Sequence, residues 1–563
     1  MLIVPLGRND NKKALKKVLY GFSIPAENPY PCRHKQKLDR TMEQGRMKYP
    51  IGIQTFEQIR KEGYIYVDKT DLVYKLVTEG KIYFLSRPRR FGKSLLLSTI
   101  KSYFEGRKDL FEGLAMERLE KEWNKYPVFH IDFNGHDFTR EEELVDTIEF
   151  FVANAERKYG KDENAITTGD RFKVVLAKAY AKTGRKAVVL VDEYDKPLLD
   201  VLDTPMEERN RNTLKAFYSI FKAADEHLQF VMLTGVTKFS QVSVFSGFNQ
   251  PNDISMAPKY DTLCGITEEE LHGYFSRQLE ELAEEEGCTV NEMEEKFKRQ
   301  YDGYHFSKRM VDVYNPFSVL NALDTQILDD YWFKTGSPTY LIRLMERFNE
   351  DMDEMTGKYY PTSSFIDYRA DVERPLPMIY QSGYLTIKAY DPYTRSYRLD
   401  FPNNEVREGF VTMLASSYLK PRENTDAWVI EVANALRLGE VELFRRLMTS
   451  FLASVPYTER RKSDERERER YFHYTFYLIL RMVSVYTVFT EKAQSEGRVD
   501  CVIETPEYIY IMEFKKDGTA KEAMEQINEK GYAREYEADK RKLYKIGINF
   551  SSKTGTIDDW LVR

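Results

Sequence analysis

At 563 residues, with 42% hydrophobic and 14% aromatic side chains, the chain has material for two to four packed domains and is too apolar for a disordered protein. Four cysteines (Cys32, Cys264, Cys288, Cys501) without C-x-x-C spacing argue against a disulfide framework or structural zinc and fit a reducing cytosol. The net charge of −6 is uneven, because residues 1–49 carry 11 Lys/Arg against 4 Asp/Glu, which leaves −13 on the rest.

No apolar run reaches the ~18 residues of a membrane span, and the N-terminus lacks a signal-peptide core. A cytoplasmic protein without membrane contact is expected. The basic stretch 1–46 reads as a poorly ordered leader, or as a contact for nucleic acid. Met47-Lys48-Tyr49-Pro50 looks like a natural beginning, so translation of the leader in the cell is itself open.

From 47 to 260, apolar runs (Tyr64–Val67, Ile82–Leu85, Val128–Phe133, Ala187–Val191, Phe230–Leu233) alternate with amphipathic stretches. This predicts a doubly wound α/β domain, a parallel sheet with helices on both faces. Within it, Arg87-Pro88-Arg89-Arg90-Phe91-Gly92-Lys93-Ser94 stands between a strand and a helical run, Leu95–Tyr103. A phosphate-binding loop needs that context: backbone N–H groups at a helix start cradle phosphates, Lys93 reaches the β/γ-phosphates, and Ser94 completes a Mg²⁺ shell. Arg87 stands where the general G-x-x-x-x-G-K pattern has its first glycine. Arg87, Arg89 and Arg90 read as phosphate contacts, and no arginine finger is assignable.

Ala187–Val191 runs into Asp192-Glu193, carboxylates at the C-terminal end of a buried strand, where open α/β sheets bind ligands. Asp192 would hold Mg²⁺ directly or through water, and Glu193 would orient or deprotonate the attacking water. Phe230–Leu233 leads to Thr234 and Thr237, which either sense a γ-phosphate or belong to a turn closing a core strand.

Residues 261–460 are mostly helical in pattern (Glu268–Glu286, Val429–Leu452), a lid followed by a connector. The charge run 459–470 reads as a solvated boundary. Residues 461–563 form a last α/β domain that opens with an apolar helix over 472–488. Two strands, 497–504 and 508–515, are joined by Thr505-Pro506-Glu507, which predicts a hairpin with Asp500 within about one residue of level with Glu513. Glu513 and Lys515 share a face. Two carboxylates holding Mg²⁺, with a lysine to position water or stabilise phosphorane charge, suit phosphodiester hydrolysis. Glu-x-Lys alone is commonplace on wet strand faces; Asp500 at hairpin spacing adds the specificity. Gln526 and Lys530 lie one helical turn apart with Tyr532 beyond, reaching the scissile phosphate or forming a solvated face.

Residues from Tyr49 to about Phe248 resemble the AAA-ATPase-like domain of many bacterial proteins. The matching pieces are Pro50-Ile51-Gly52, Tyr66-Val67-Asp68-Lys69-Thr70, Arg87 to Ser94, Val191 to Pro197 and Leu233 to Ser240. The missing loop glycine is usual in that family. From about Tyr471 the chain resembles the PD-(D/E)XK nuclease superfamily, on Gly497-Arg498-Val499-Asp500, Glu513-Phe514-Lys515, Gln526-Ile527 and Lys530-Gly531-Tyr532. The resemblance implies ATP and Mg²⁺ as cofactors. It implies nucleotide contacts from Arg89, Arg90, Gly92, Lys93, Ser94, Asp192 and Thr234, with Ser94 and Asp192 at the metal. It implies catalytic roles for Glu193, Asp500, Glu513, Lys515 and Gln526, with Asp500 and Glu513 as metal ligands. An upstream acidic residue is also implied, Glu469 or Glu491.

The expected function is an ATP-dependent, Mg²⁺-requiring nuclease acting on DNA or RNA, with a homo-oligomer open. Overall acidity and the lack of a clustered basic stretch favour an alternative, a nucleotide-switched binding or signalling protein with a non-cleaving nuclease fold. A motor acting on protein is a third reading.

Overall fold

A computed structural model describes residues 47–239, 251–335, 355–366, 375–418, 425–453, 487–494, 497–551 and 553–563. The leader, the charge run 459–470, Glu469 and most of the helix expected over 472–488 lie outside the described residues. Thr487 and Val488, at the end of that run, are strand. Among the described residues, no helix is long and apolar enough to cross a membrane.

The N-terminal sheet consists of β1 (Ile82–Ser86), β2 (Val128–Asp132), β3 (Ala187–Asp192), β4 (Leu228–Gly235) and β5 (Asn252–Asp253), in the order β2-β3-β4-β1-β5 and parallel throughout. Every residue of β3 is buried, as a continuous apolar run requires when both sheet faces are covered. The covering helices include α1 (Phe56–Glu62), α2 (Thr70–Glu79), α3 (Lys93–Phe104), α4 (Glu143–Tyr159), α5 (Thr168–Thr183) and α6 (Pro205–Tyr218). Because β4 lies between β1 and β3, the loop after β1, Asp192 at the end of β3 with Glu193 beyond it, and Thr234 near the end of β4 all emerge at one sheet edge. Tyr64–Val67 is not a strand: the segment is held by Ile65 N–H on the Lys48 carbonyl and by Tyr66 in the core, between the left-handed Gly63 cap of α1 and the start of α2.

In the middle region, α7 (Glu268–Glu285) and α8 (Val290–Tyr301) each begin with a capping box, Thr267 with Glu270 and Thr289 with Glu292. The helices α9 (Pro316–Thr325), α10 (Leu376–Gln381) and α11 (Asn404–Tyr418) follow. A three-stranded antiparallel sheet, β6 (Lys358–Pro361), β7 (Thr386–Asp391) and β8 (Ser396–Asp400), is set among them in the order β6-β8-β7. Tyr304, Trp332, Met378, Tyr384 and Phe410 belong to the same apolar core as β1, β3 and β4, so this part of the middle region is packed onto the N-terminal sheet rather than tethered to it.

The single helix expected over Val429–Leu452 is two, α12 (Thr425–Arg437) and α13 (Val441–Ala453). The chain turns at Gly439, whose φ of 72° a side chain would strain and whose Cβ would stand 2.7 Å from the Tyr508 ring. This helix pair packs on the C-terminal sheet, burying Leu436, Phe444, Met448 and Leu452 against Tyr510, Met512 and Ile548. That sheet holds β9 (Thr487–Gln494), β10 (Gly497–Glu504), β11 (Tyr508–Lys516), β12 (Lys542–Ser551) and β13 (Thr556–Val562), in the order β13-β12-β11-β10-β9. Only β11 and β12 pair in parallel, and α14 (Ala520–Glu529) is the crossover between them. It covers the opposite face, with Met524 and Ile527 packed on Val502, Ile509 and Ile511. Each fully buried aliphatic side chain here contributes about 1.5–3 kcal/mol.

Candidate functional site

The loop 87–92 ends at Gly92, whose φ of 88° turns the chain into α3; no described side chain caps that helix, whose first turn lies beside a cavity. That cavity, of about 700 Å³, is lined by Gly92, Lys93, Ser94, Glu193 and Thr237 and by Arg89 and Arg90 of the loop. Pro316, Phe317 and Tyr384 line it from the middle region, residues the sequence pattern did not single out within the stretch expected to hold a lid.

Lys93 is buried, and its Nζ donates to the carbonyls of Arg87 (3.1 Å) and Pro88 (3.2 Å) and stands 3.5 Å from Glu193 Oε1. Asp192 is 1% exposed. Its Oδ1 accepts from the Thr234 hydroxyl at 2.6 Å and from Glu193 N–H at 3.1 Å. Thr234 is therefore brought to Asp192, and the two stand buried behind the cavity lining, which includes Glu193 and Thr237 but neither of them. Arg90 lies with its guanidinium 5.0 Å over the Phe317 ring, and Arg89 gives its carbonyl to Trp332 Nε1 at 2.9 Å. Both are exposed at the cavity rim.

Arg87 corrects the expectation of a phosphate contact. It is 1% exposed and turns away from the cavity, donating to the carbonyls of Ser86 (2.9 Å), Ser255 (2.7 Å) and Tyr260 (3.2 Å) with its guanidinium 4.0 Å over the Phe306 ring. In place of a flexible glycine the loop has a buried anchor. Two of its three carbonyl partners, Ser255 and Tyr260, lie more than 160 residues downstream, beyond reach of any local pattern.

In the C-terminal sheet, Cys501 registers with Met512, which sets Asp500 level with Glu513. Phe514 N–H donates to Asp500 Oδ2 at 2.8 Å, and Asp500 N–H donates to Glu513 Oε2 at 3.4 Å, so each carboxylate is oriented by the other strand. Tyr510, Met512 and Phe514 face α12 and α13, while Ile509 and Ile511 face α14; by this alternation Glu513 and Lys515 lie on the α14 side. There α14 supplies Gln526, whose Nε2 donates to Glu513 Oε1 and whose Oε1 accepts from Lys515 Nζ at 2.5 Å. Lys515 Nζ stands 3.9 Å from Glu513 Oε1.

Glu513 is 2% exposed, and burial, followed by the neighbouring Asp500 charge, pushes its carboxyl up to about 8. Two oxygen donors that repel one another in a desolvated corner fit a hard divalent cation, whose charge would relieve both terms. At the other site, the Ser94 hydroxyl and the Asp192 carboxylate are likewise oxygen donors suited to Mg²⁺. Among the described residues, no group of three or more His, Cys, Asp or Glu gathers as a metal site.

Tyr532 is buried beside Gln526, while Lys530 is exposed at the end of α14. Thr490 and Lys492 of β9 register with Cys501 and Val499, which puts Glu491 at the level of Asp500. Gly547 of β12 permits this packing, because a Cβ there would stand 2.2 Å from the Ala520 carbonyl of α14.

Residues 50–245 match the family model of a predicted AAA-ATPase, and residues 467–560 match that of the PD-(D/E)XK nuclease superfamily. An uncharacterized protein in the vnfD 5′ region of Azotobacter chroococcum mcd 1 is 34% identical over 527 residues, 92% of this chain and 99% of that protein. The chain belongs to one family with this bacterial protein, and it carries on a single polypeptide a segment that matches a predicted AAA-ATPase and one that matches the PD-(D/E)XK nuclease superfamily.

Proposed function

We propose that the protein binds and hydrolyses ATP and cleaves phosphodiester bonds of nucleic acid in a Mg²⁺-dependent reaction, in the cytoplasm. The observation that carries this reading is the convergence of Asp500, Glu513, Lys515 and Gln526 in one hydrogen-bonded group. We further propose functional units at 47–260 (ATPase), 261–460 (lid and connector) and 461–563 (nuclease), with 1–46 as a leader.

At the nuclease site, Asp500 and Glu513 would hold the Mg²⁺. When bound, the cation supplies a water of lowered pKa and a positive charge for the phosphoryl oxygens. Phe514 N–H fixes the Asp500 carboxylate, and Gln526 fixes Glu513 and Lys515 relative to one another. Lys515, with 30% of its side chain exposed, orients the water and offsets charge on the phosphorane.

At the ATPase site, the α3 amides, Lys93 and Ser94 take the phosphates. Lys93 leaves the Arg87 and Pro88 carbonyls to meet the anion, which frees Glu193 to orient water. Asp192 and Ser94 would hold the nucleotide's Mg²⁺, and Thr234 keeps Asp192 oriented.

The acidity of the chain, −6 overall, favours a second reading, a nucleotide-switched binding protein whose nuclease fold recognises without cutting. Incubation of labelled single- and double-stranded DNA and RNA with Mg²⁺ or Mn²⁺ separates the two. Cleavage present in the wild type and absent in Asp500→Ala supports the nuclease; absence of cleavage on every substrate, with ATP still hydrolysed, supports the binding protein.

A further inference from the structure

Two residues beyond Glu193 lies a carboxylate that neither site uses. Asp195 is 0% exposed. Its Oδ2 accepts from Val236 N–H at 3.0 Å and Thr237 N–H at 2.5 Å, while its Oδ1 has no hydrogen-bond partner among the described residues. The neighbouring backbone is cut to fit it, since a Cβ on Gly235 would stand 2.3 Å from Asp195 Oδ1. Tyr194 adds a second tie: its hydroxyl donates to the Thr237 carbonyl at 2.8 Å and accepts from Phe239 N–H at 3.2 Å.

The turn after Glu193 therefore grips Val236–Phe239 along its length. Val236, Thr237 and Glu193 all line the nucleotide cavity. On its far side the segment meets α10, with the Thr237 hydroxyl 3.7 Å from Met378 Sδ and Lys238 N–H on Gln381 Oε1 at 2.7 Å. Burying a carboxylate with one oxygen unsatisfied costs free energy, and such a cost is kept where position matters more than stability. Burial and the Glu193 charge push the Asp195 carboxyl up, opposed by the Thr237 amide and Lys93.

We propose that Asp195 is a positioning residue for nucleotide hydrolysis, holding the Val236–Thr237 wall in register with Glu193 at the end of the cavity where the terminal phosphate reacts. The proposal rests on the ATPase reading above. Asp195 touches neither nucleotide nor water; it acts through Thr237 and through the turn it shares with Glu193. Its loss should slow the chemical step and leave ATP binding, the work of Lys93 and the α3 amides, nearly intact.

Steady-state ATP turnover of the full chain tests this in Asp195→Ala, Asp195→Asn, Gly235→Ala and Lys93→Ala, each confirmed folded by its unfolding transition. In Asp195→Ala, kcat should fall about 10- to 100-fold with KM for ATP within about twofold of wild type. Asp195→Asn retains an acceptor oxygen for the two amides and should recover most of that loss. Gly235→Ala, which displaces the same carboxylate from the other side, should repeat the kcat effect and stands in for Asp195→Ala if that variant does not fold. Wild-type kcat in folded Asp195→Ala or Gly235→Ala overturns the proposal, as does a rise in KM with kcat unchanged. Undiminished turnover in Lys93→Ala refutes the ATPase reading itself, a result distinct from either.

Discussion

At the scale of the residue, the two sites differ in how they hold charge. Lys93 and Glu193 neutralise one another at 3.5 Å, whereas Glu513 faces Asp500 in a desolvated corner. Burial and that like charge raise Glu513 to about 8, so between the ordinary carboxylate range and that value the folded chain holds a proton the unfolded chain releases. Without a divalent cation, the stability this group contributes is complete below the ordinary range and is lost as pH rises toward about 8. Cation binding must displace the proton, so Mn²⁺ affinity should climb up to about tenfold per pH unit below about pH 8 and then level off. Calorimetric titration across that range checks this, and Asp500→Asn, which removes the repulsion, should move the break to lower pH. Arg87 supplies the opposite lesson. Restoring the general loop glycine with Arg87→Gly strips three carbonyls of their donor and should cost about 2–4 kcal/mol, read in thermal unfolding, without improving nucleotide binding.

At the scale of the element, what was legible in the chain was what local chemistry dictates. Strand–loop–helix order exposed Lys93 and Ser94, and a three-residue link fixed the β10–β11 register closely enough to bring Asp500 level with Glu513. Side-chain alternation then put Lys515 beside Glu513. Features set by distant partners were not legible. The inward turn of Arg87 depends on Ser255 and Tyr260, and Asp195 acquires its role only where β3 and β4 end together. Tyr64–Val67 has the composition of a strand but pairs with no strand among the described residues, and Gly439 breaks a helical run that hydrophobic period alone carried through. The β6–β8 sheet went unseen because its strands are only four to six residues long and mix Lys, Arg and Asp with their apolar residues, so no continuous apolar run marks them. The seam between α14 and β12 also positions chemistry. Gly547→Ala drives a methyl into the Ala520 carbonyl and should cost about 1–3 kcal/mol. It should also displace Gln526 and reduce cleavage more than the stability loss explains, a comparison made by assaying well below the unfolding temperature.

At the scale of the whole molecule, the middle region shares one apolar core with the N-terminal sheet and supplies walls of the nucleotide cavity, while α12 and α13 are built into the C-terminal sheet. Between them α7 and α8 carry a cluster of their own around Phe275, Leu279 and Phe297. The most direct measurement is cleavage of labelled nucleic acid by wild type, Asp500→Ala and Lys93→Ala, with Mg²⁺, in the presence and absence of ATP. The account predicts ATP-dependent cleavage in the wild type, none in Asp500→Ala, and loss of the ATP response in Lys93→Ala. Cleavage that persists in Asp500→Ala, or an ATP response that survives Lys93→Ala, would contradict it.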